Sequence, residues 1–136
     1  MLDTDVAVAA FRSPTGASAE LLRLAGQRKF ALAVSAALLL EYEAVITRPE
    51  HLTAAIQTTG DAQVMIDAIA DFADHVAIDY IWRPQTRDPS DEMVLEAAIN
   101  GQADAIVTFN RRDFGDAPSW FGIGCWLPAE ALEKVR

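Results

Sequence analysis

Asp3, Glu41, Asp91 and Asp113, with Asn110, are the side chains of this sequence whose types and positions can do chemistry together, and Asp5 adds a carboxylate beside the first of them. Oxygen donors of this kind suit Mg²⁺ or Mn²⁺, which bind oxygen near ~2.1 Å and keep several of their waters. Such an ion turns a bound water into a nucleophile and neutralises charge developing on a phosphoryl oxygen. The chemistry implied is phosphodiester hydrolysis by an activated water, with no covalent intermediate. His51 and His75 lack ligand-spaced partners and Cys125 is the single cysteine, so neither a zinc site nor a thiol nucleophile is indicated.

These residues are scattered in sequence, so the fold must gather them. Residues 1–4 read as a strand stub ending on Asp3, and a helix follows the Ser13-Pro14-Thr15-Gly16 turn over 17–27. A short buried strand is expected over 30–34. Ser35 then caps a helix that carries Glu41 and runs to Thr47, with Pro49 as its stop. Two more helices are expected before a strand over 76–80; the second opens after Gly60 with Asp61 as cap, and separates Met65, Ile69 and Phe72 from an acidic stripe of Asp67, Asp71 and Asp74. Asp91 falls in the first turn of a helix over 89–100, and Asn110 and Asp113 follow a buried strand over 105–108. A last strand over 123–126 leads to a helix opened by Pro128. Short apolar strands alternating with helices predict an α/β fold, a central parallel sheet flanked by helices, with ligands bound beyond the carboxyl ends of the strands. That edge is where the acids converge.

The chain of 136 residues is the size of one domain, and its 51% hydrophobic content is that of a globular protein. No apolar run reaches the length of a membrane span, and residues 1–5 carry acids rather than a basic leader, so a cytoplasmic protein is expected. A net charge of −9 argues against gripping a polyanion with the whole surface. The acids are unevenly spread, however: residues 50–79 hold no Lys or Arg, while Arg12, Arg23, Arg28, Lys29, Arg48, Arg83, Arg87, Arg111 and Arg112 lie elsewhere. A local basic rim remains available, with Arg111 and Arg112 next to the acids as its expected phosphate contacts.

Four segments carry a resemblance. Leu2-Asp3-Thr4-Asp5-Val6 resembles the LDTNV signature that opens PIN domains, and residues 35–43 (SAALLLEYE), 88–98 (DPSDEMVLEAA) and 106–114 (IVTFNRRDF) resemble the second, third and fourth signatures in family order and spacing. Arg12-Ser13-Pro14 and Gly16-Ala17-Ser18 narrow the likeness to PIN-family toxin components of bacterial toxin–antitoxin systems. The resemblance implies a PIN-like fold over residues 1–136 and Mg²⁺- or Mn²⁺-dependent endoribonuclease activity. It implies metal-binding roles for Asp3, Glu41 and Asp91, with the fourth corner shared by Asn110 and Asp113. Thr4, Ser35 and Thr108 resemble the hydroxyl residues that orient the acids or a water. A cognate antitoxin and a homodimer are the implied partners.

The sequence departs from that pattern in places. Asp5 stands where the signature usually has Asn, and Asn110 where relatives often have Asp, which ranks Asp113 as the acid of that corner. Only Met1 and Leu2 precede Asp3, so a longer upstream start or a shortened first strand is expected. Asp88 reads as an N-cap with Pro89 at the first helical position, leaving Asp91 as the ligand. Trp82, Trp120 and Trp126 are expected in the core, Trp82 beside Arg83 being the one to test for base stacking. Two other functions fit the same residues: a housekeeping RNA-processing nuclease with no antitoxin, and a catalytically weak PIN-like binding module.

Overall fold

Residues 1–79 and 89–136 are described by the computed structural model of the chain. Asp88, Trp82, Arg83 and Arg87, all singled out above, lie outside them. The architecture is mixed α/β with parallel strands. Strand β1 (Ala33–Val34) pairs with β2 (Asp74–His75), and β3 (Ala105–Val107) pairs with β4 (Gly124–Trp126), both in parallel. Leu2 forms an isolated parallel bridge to Val107, in which Val107 donates its N–H to Met1 O and Asp3 donates to Val107 O, each at 2.9 Å. Among the described residues the expected central sheet is thus two parallel pairs and one bridge.

Helix α1 (Thr4–Arg12) begins directly after that bridge, capped by Asp3. It is followed by α2 (Ala17–Gly26) and α3 (Ala36–Ile46), then α4 (Pro49–Ala55) and α5 (Thr59–Phe72). Helix α6 (Pro89–Asn100) precedes β3, the one-turn helices α7 (Arg111–Phe114) and α8 (Ala117–Trp120) lie between β3 and β4, and α9 (Pro128–Val135) ends the chain. Helix α1 packs on α2 and α3, and α6 packs on α3, β1 and β3, so α6 spans both strand pairs. Leu2, Leu38, Tyr42, Ile46, Leu95 and Ile106 are among the side chains buried between these layers. Among the described residues no helix is long and apolar enough to cross a membrane.

Several local expectations are corrected. Helix α1 has no counterpart among the expected elements, because its short run of Val, Ala and Phe follows directly on the strand stub with no break to mark it. Pro49 opens α4 as well as ending α3, since proline's missing N–H is harmless at a first helical position. Thr58, not Asp61, caps α5. Its hydroxyl accepts from Asp61 N while the Asp61 carboxylate accepts from Thr58 N, a reciprocal capping box. Strand β2 ends at His75, upstream of the expected span.

Helix α4 ends on Ile56, which adopts φ +56° with its side chain 92% exposed. A β-branched residue in the left-handed region is strained and here gains nothing from burial. Ile56→Asn should therefore raise unfolding stability by about 1 kcal/mol, with Ile56→Gly gaining less because glycine also loosens the unfolded chain. Urea titration of both variants checks the sign and the order.

Candidate active site

The Leu2–Val107 bridge delivers two backbones to one edge, and Asp3 and Thr108 are the first residues beyond it. Asp3 is only 6% exposed, and one oxygen accepts from Thr4 N at 2.8 Å while the other accepts from Thr108 Oγ1 at 2.7 Å. Thr108 Oγ1 in turn accepts from Asn110 N at 3.0 Å, which fixes the direction of its single proton toward Asp3. Asp5, in the first turn of α1, reaches the same loop: its Oδ2 accepts from Phe109 N at 3.1 Å and Asn110 Nδ2 at 3.0 Å, and lies 3.4 Å from Thr108 Oγ1. Asp3 and Asp5 therefore clamp the loop after β3 from one side.

Burial pushes the Asp3 carboxyl above its ordinary value, and the charge of Asp113 adds to the rise against the hydrogen bonds of Thr108 and Thr4. Asp5 is raised to about 6, first by burial and then by the charge of Asp3. Beneath the pair, Tyr42 of α3 is fully buried and donates its hydroxyl to Leu2 O. Burial holds that phenol well above its usual range, and the charges of Asp3 and Asp5 push it further, so it stays a donor. Sequence reasoning missed Tyr42 as a site support, although it follows Glu41 directly.

The other expected residues are placed as follows. Asp113, on α7, is exposed and acts on Asp3 through charge. Glu41 is half-buried on α3, and Asp91 is buried in the first turn of α6. Ser35 is buried and its hydroxyl accepts from Leu38 N, capping α3. Arg111 donates to Glu130 of α9 at 3.2 Å, while Arg112 is exposed beside it. Trp120 is exposed, and Trp126 is half-buried with the Lys134 ammonium 4.9 Å from its ring centroid.

The donor chemistry fits a hard divalent cation. Asp5 Oδ1 and Thr4 Oγ1 are buried with no hydrogen-bond partner among the described residues, and an unmet buried oxygen typically costs about 1–3 kcal/mol. Two like-charged carboxyls, both shifted toward protonation, are the groups a cation would relieve. Among the described residues no group of three or more His, Cys, Asp or Glu side chains stands close enough to hold an ion, so Asp3 and Asp5 with their bridging threonine form the assembled part.

The family profile of the PIN domain matches residues 1–112, which contain both halves of this arrangement. The chain belongs to the PIN domain family, a nuclease family whose members generally use divalent metals. No curated protein and no solved structure matched the chain.

Asp5 gives a pH test of the charge argument. Its folded pKa, about 6, lies above the ordinary 3.8, so the folded state binds the extra proton between those values and the metal-free protein loses stability as pH rises through them. In chelator, Asp5→Asn should be more stable than the parent protein at neutral pH, and the difference should shrink below about pH 4, where both carry a neutral side chain. A pH-independent difference in urea midpoints would contradict the raised carboxyl.

Proposed function

We propose that this PIN domain is a cytoplasmic, divalent-metal-dependent endoribonuclease and the toxin of a toxin–antitoxin pair. The observation that carries the reading is the desolvated Asp3–Asp5 pair, tied by Thr108 and holding an unmet carboxylate oxygen at the ends of parallel strands. Asp3, Glu41, Asp91 and Asp113, with Asp5 and Asn110 in support, would hold Mg²⁺ or Mn²⁺. When bound, the ion supplies an activated water and neutralises the phosphoryl charge. Thr108 keeps Asp3 aimed by donating to it, and the Phe109 N–H and Asn110 amide hold Asp5 in place. Asp113, exposed on α7 and felt by Asp3 as charge, would be the carboxylate that accepts a proton from water. The toxin assignment, the antitoxin, RNA as substrate and a homodimer rest on the likeness of the signature segments and of 12–18.

One observation favours a second reading. Asn110 uses its amide to donate to Asp5 and brings no carboxylate, as expected of a binding module with weak catalysis. RNA binding without Mn²⁺-dependent cleavage would support that reading.

The deciding experiment is incubation of the purified protein with an RNA pool in Mn²⁺ or Mg²⁺, with and without EDTA, followed by mapping of the new ends and repetition with the product of the adjacent gene. Cleavage should require the metal and stop on addition of that product. Asp91→Asn should abolish cleavage while leaving metal-free stability equal or higher; if Asp91 only supported the helix dipole, the variant would lose roughly 0.3–1 kcal/mol and keep its activity. Cleavage that persists in excess chelator would overturn the metal mechanism.

Arg112 and Arg111 permit a separate test of substrate binding. The double alanine variant should weaken RNA binding and lower the slope of log affinity against log salt by about one for each phosphate no longer neutralised. Arg112→Ala should account for most of the change, because Arg111 is shared with Glu130. An unchanged slope would return both to ordinary surface residues.

A further inference from the structure

Phe109 is an anomaly in its own neighbourhood. It is 49% exposed, whereas Phe114 on the helix that follows it is 1% exposed. Its backbone is among the most constrained at the site, since its N–H is bonded to Asp5 Oδ2 and its neighbours Thr108 and Asn110 are bonded to Asp3 and Asp5. The ring forms one wall of a cavity of about 370 Å³ whose other walls come from α1, the start of α2 and the start of α9, including Ala9, Ala17, Leu127 and Pro128. That lining is almost wholly apolar, and Ser18 within it is itself buried. A half-exposed ring at this position is open to a ligand on the face that the core does not cover.

We propose that Phe109 and this cavity form a nucleobase subsite, in which the base next to the scissile phosphate stacks on the Phe109 ring. The inference rests on the nuclease reading above and adds to it where the substrate's base sits. A nucleotide whose phosphate lies at the Asp3–Asp5 edge carries its base only a sugar away, and the ring is rooted one residue from the threonine that joins those carboxylates. Aromatic faces accept any base by stacking. The subsite thus supplies affinity through the ring with little selection among bases. It also gives an acidic protein a way to hold a polyanion that does not depend on phosphate contacts alone.

The test compares two labelled probes, a short oligoadenylate and the same ribose-phosphate chain with every base removed, by fluorescence anisotropy in Ca²⁺ and by cleavage in Mn²⁺. The parent protein should bind the oligoadenylate more tightly than the abasic chain, and Phe109→Ala should shrink that preference about tenfold, the order expected for one base–aromatic stack. Phe109→Trp should keep the preference. Phe109→Leu retains the apolar surface without a ring face and should behave like the alanine variant. Equal preference in the parent and Phe109→Ala, or full retention in Phe109→Leu, would overturn the subsite whatever the cleavage result. Base-dependent binding through Phe109 with no cleavage by the parent would instead overturn the nuclease reading and leave the subsite standing. Because half the ring is in water, the substitutions leave the core intact, and matched urea midpoints confirm that weaker binding is not a failure to fold.

Discussion

Two carboxylates held out of water within reach of one hydroxyl are the constraint around which this protein is arranged. Burying a charge is costly unless it is paired, and two like charges side by side are worse. The chain tolerates the pair because three of the four carboxylate oxygens are met by groups the fold supplies, Asp5 Oδ1 being the exception. Thr4 N and Thr108 Oγ1 serve Asp3, and Phe109 N and Asn110 Nδ2 serve Asp5. Burial first, and neighbouring negative charge after it, raise both carboxyls. A divalent cation bound there, as members of the family generally use, would relieve both costs and stabilise the fold.

That requirement explains features of the architecture that packing alone does not. Asp3 has to lie at the junction of bridge and helix, where the Leu2–Val107 pairing fixes its backbone and the start of α1 presents Thr4 N to its carboxylate. Tyr42 must reach the Leu2 carbonyl from α3, which locks that helix, and Glu41 with it, against the bridge. Helix α6 carries Asp91 and lies across both strand pairs, so the spacing of the pairs sets where that acid stands. Asp3, Glu41 and Asp91 are thus carried by different elements, and where each stands depends on tertiary packing rather than on any single helix.

The sequence is informative where local rules act alone. Ser35 as the cap of α3, the bounds of α6, the start of α9 at Pro128 and the two strands flanking α7 and α8 follow from capping chemistry, proline and short apolar runs. It is uninformative where elements adjoin without a break or partners are distant. Helix α1 is a short run of Val, Ala and Phe between Asp5 and Arg12 that follows directly on the strand stub, so no break in the chain marks it as a separate element. The roles of Asp5 and Tyr42 depend on bonds spanning 105 and 40 residues of chain, which no local pattern encodes. By position Asp5 fits an added ligand, yet its bonds make it the clamp on the loop after β3, and the cap of α1 is Asp3. Phe109 escapes notice in the sequence because an aromatic after an apolar strand looks like core until its exposure is seen.

The net charge of −9, which at first argues against a nucleic-acid enzyme, has to be weighed by location. Asp61, Asp67 and Asp71 are exposed on α5, with Asp67 bonded to Gln63, and none of the residues bonded to Asp3 or Asp5 comes from α4 or α5. Exposed acids there are screened within a Debye length of ~8–10 Å at ordinary salt, so their influence on a phosphate at the strand ends is small. The charges that matter are those of the site itself, where Asp3 and Asp5 stand together. A divalent cation of the kind that members of this family generally use would offset them and attract a phosphate to that edge. The acidity of the chain and its membership of a nuclease family are therefore compatible, because attraction for the polyanion would come from such an ion and not from the surface at large.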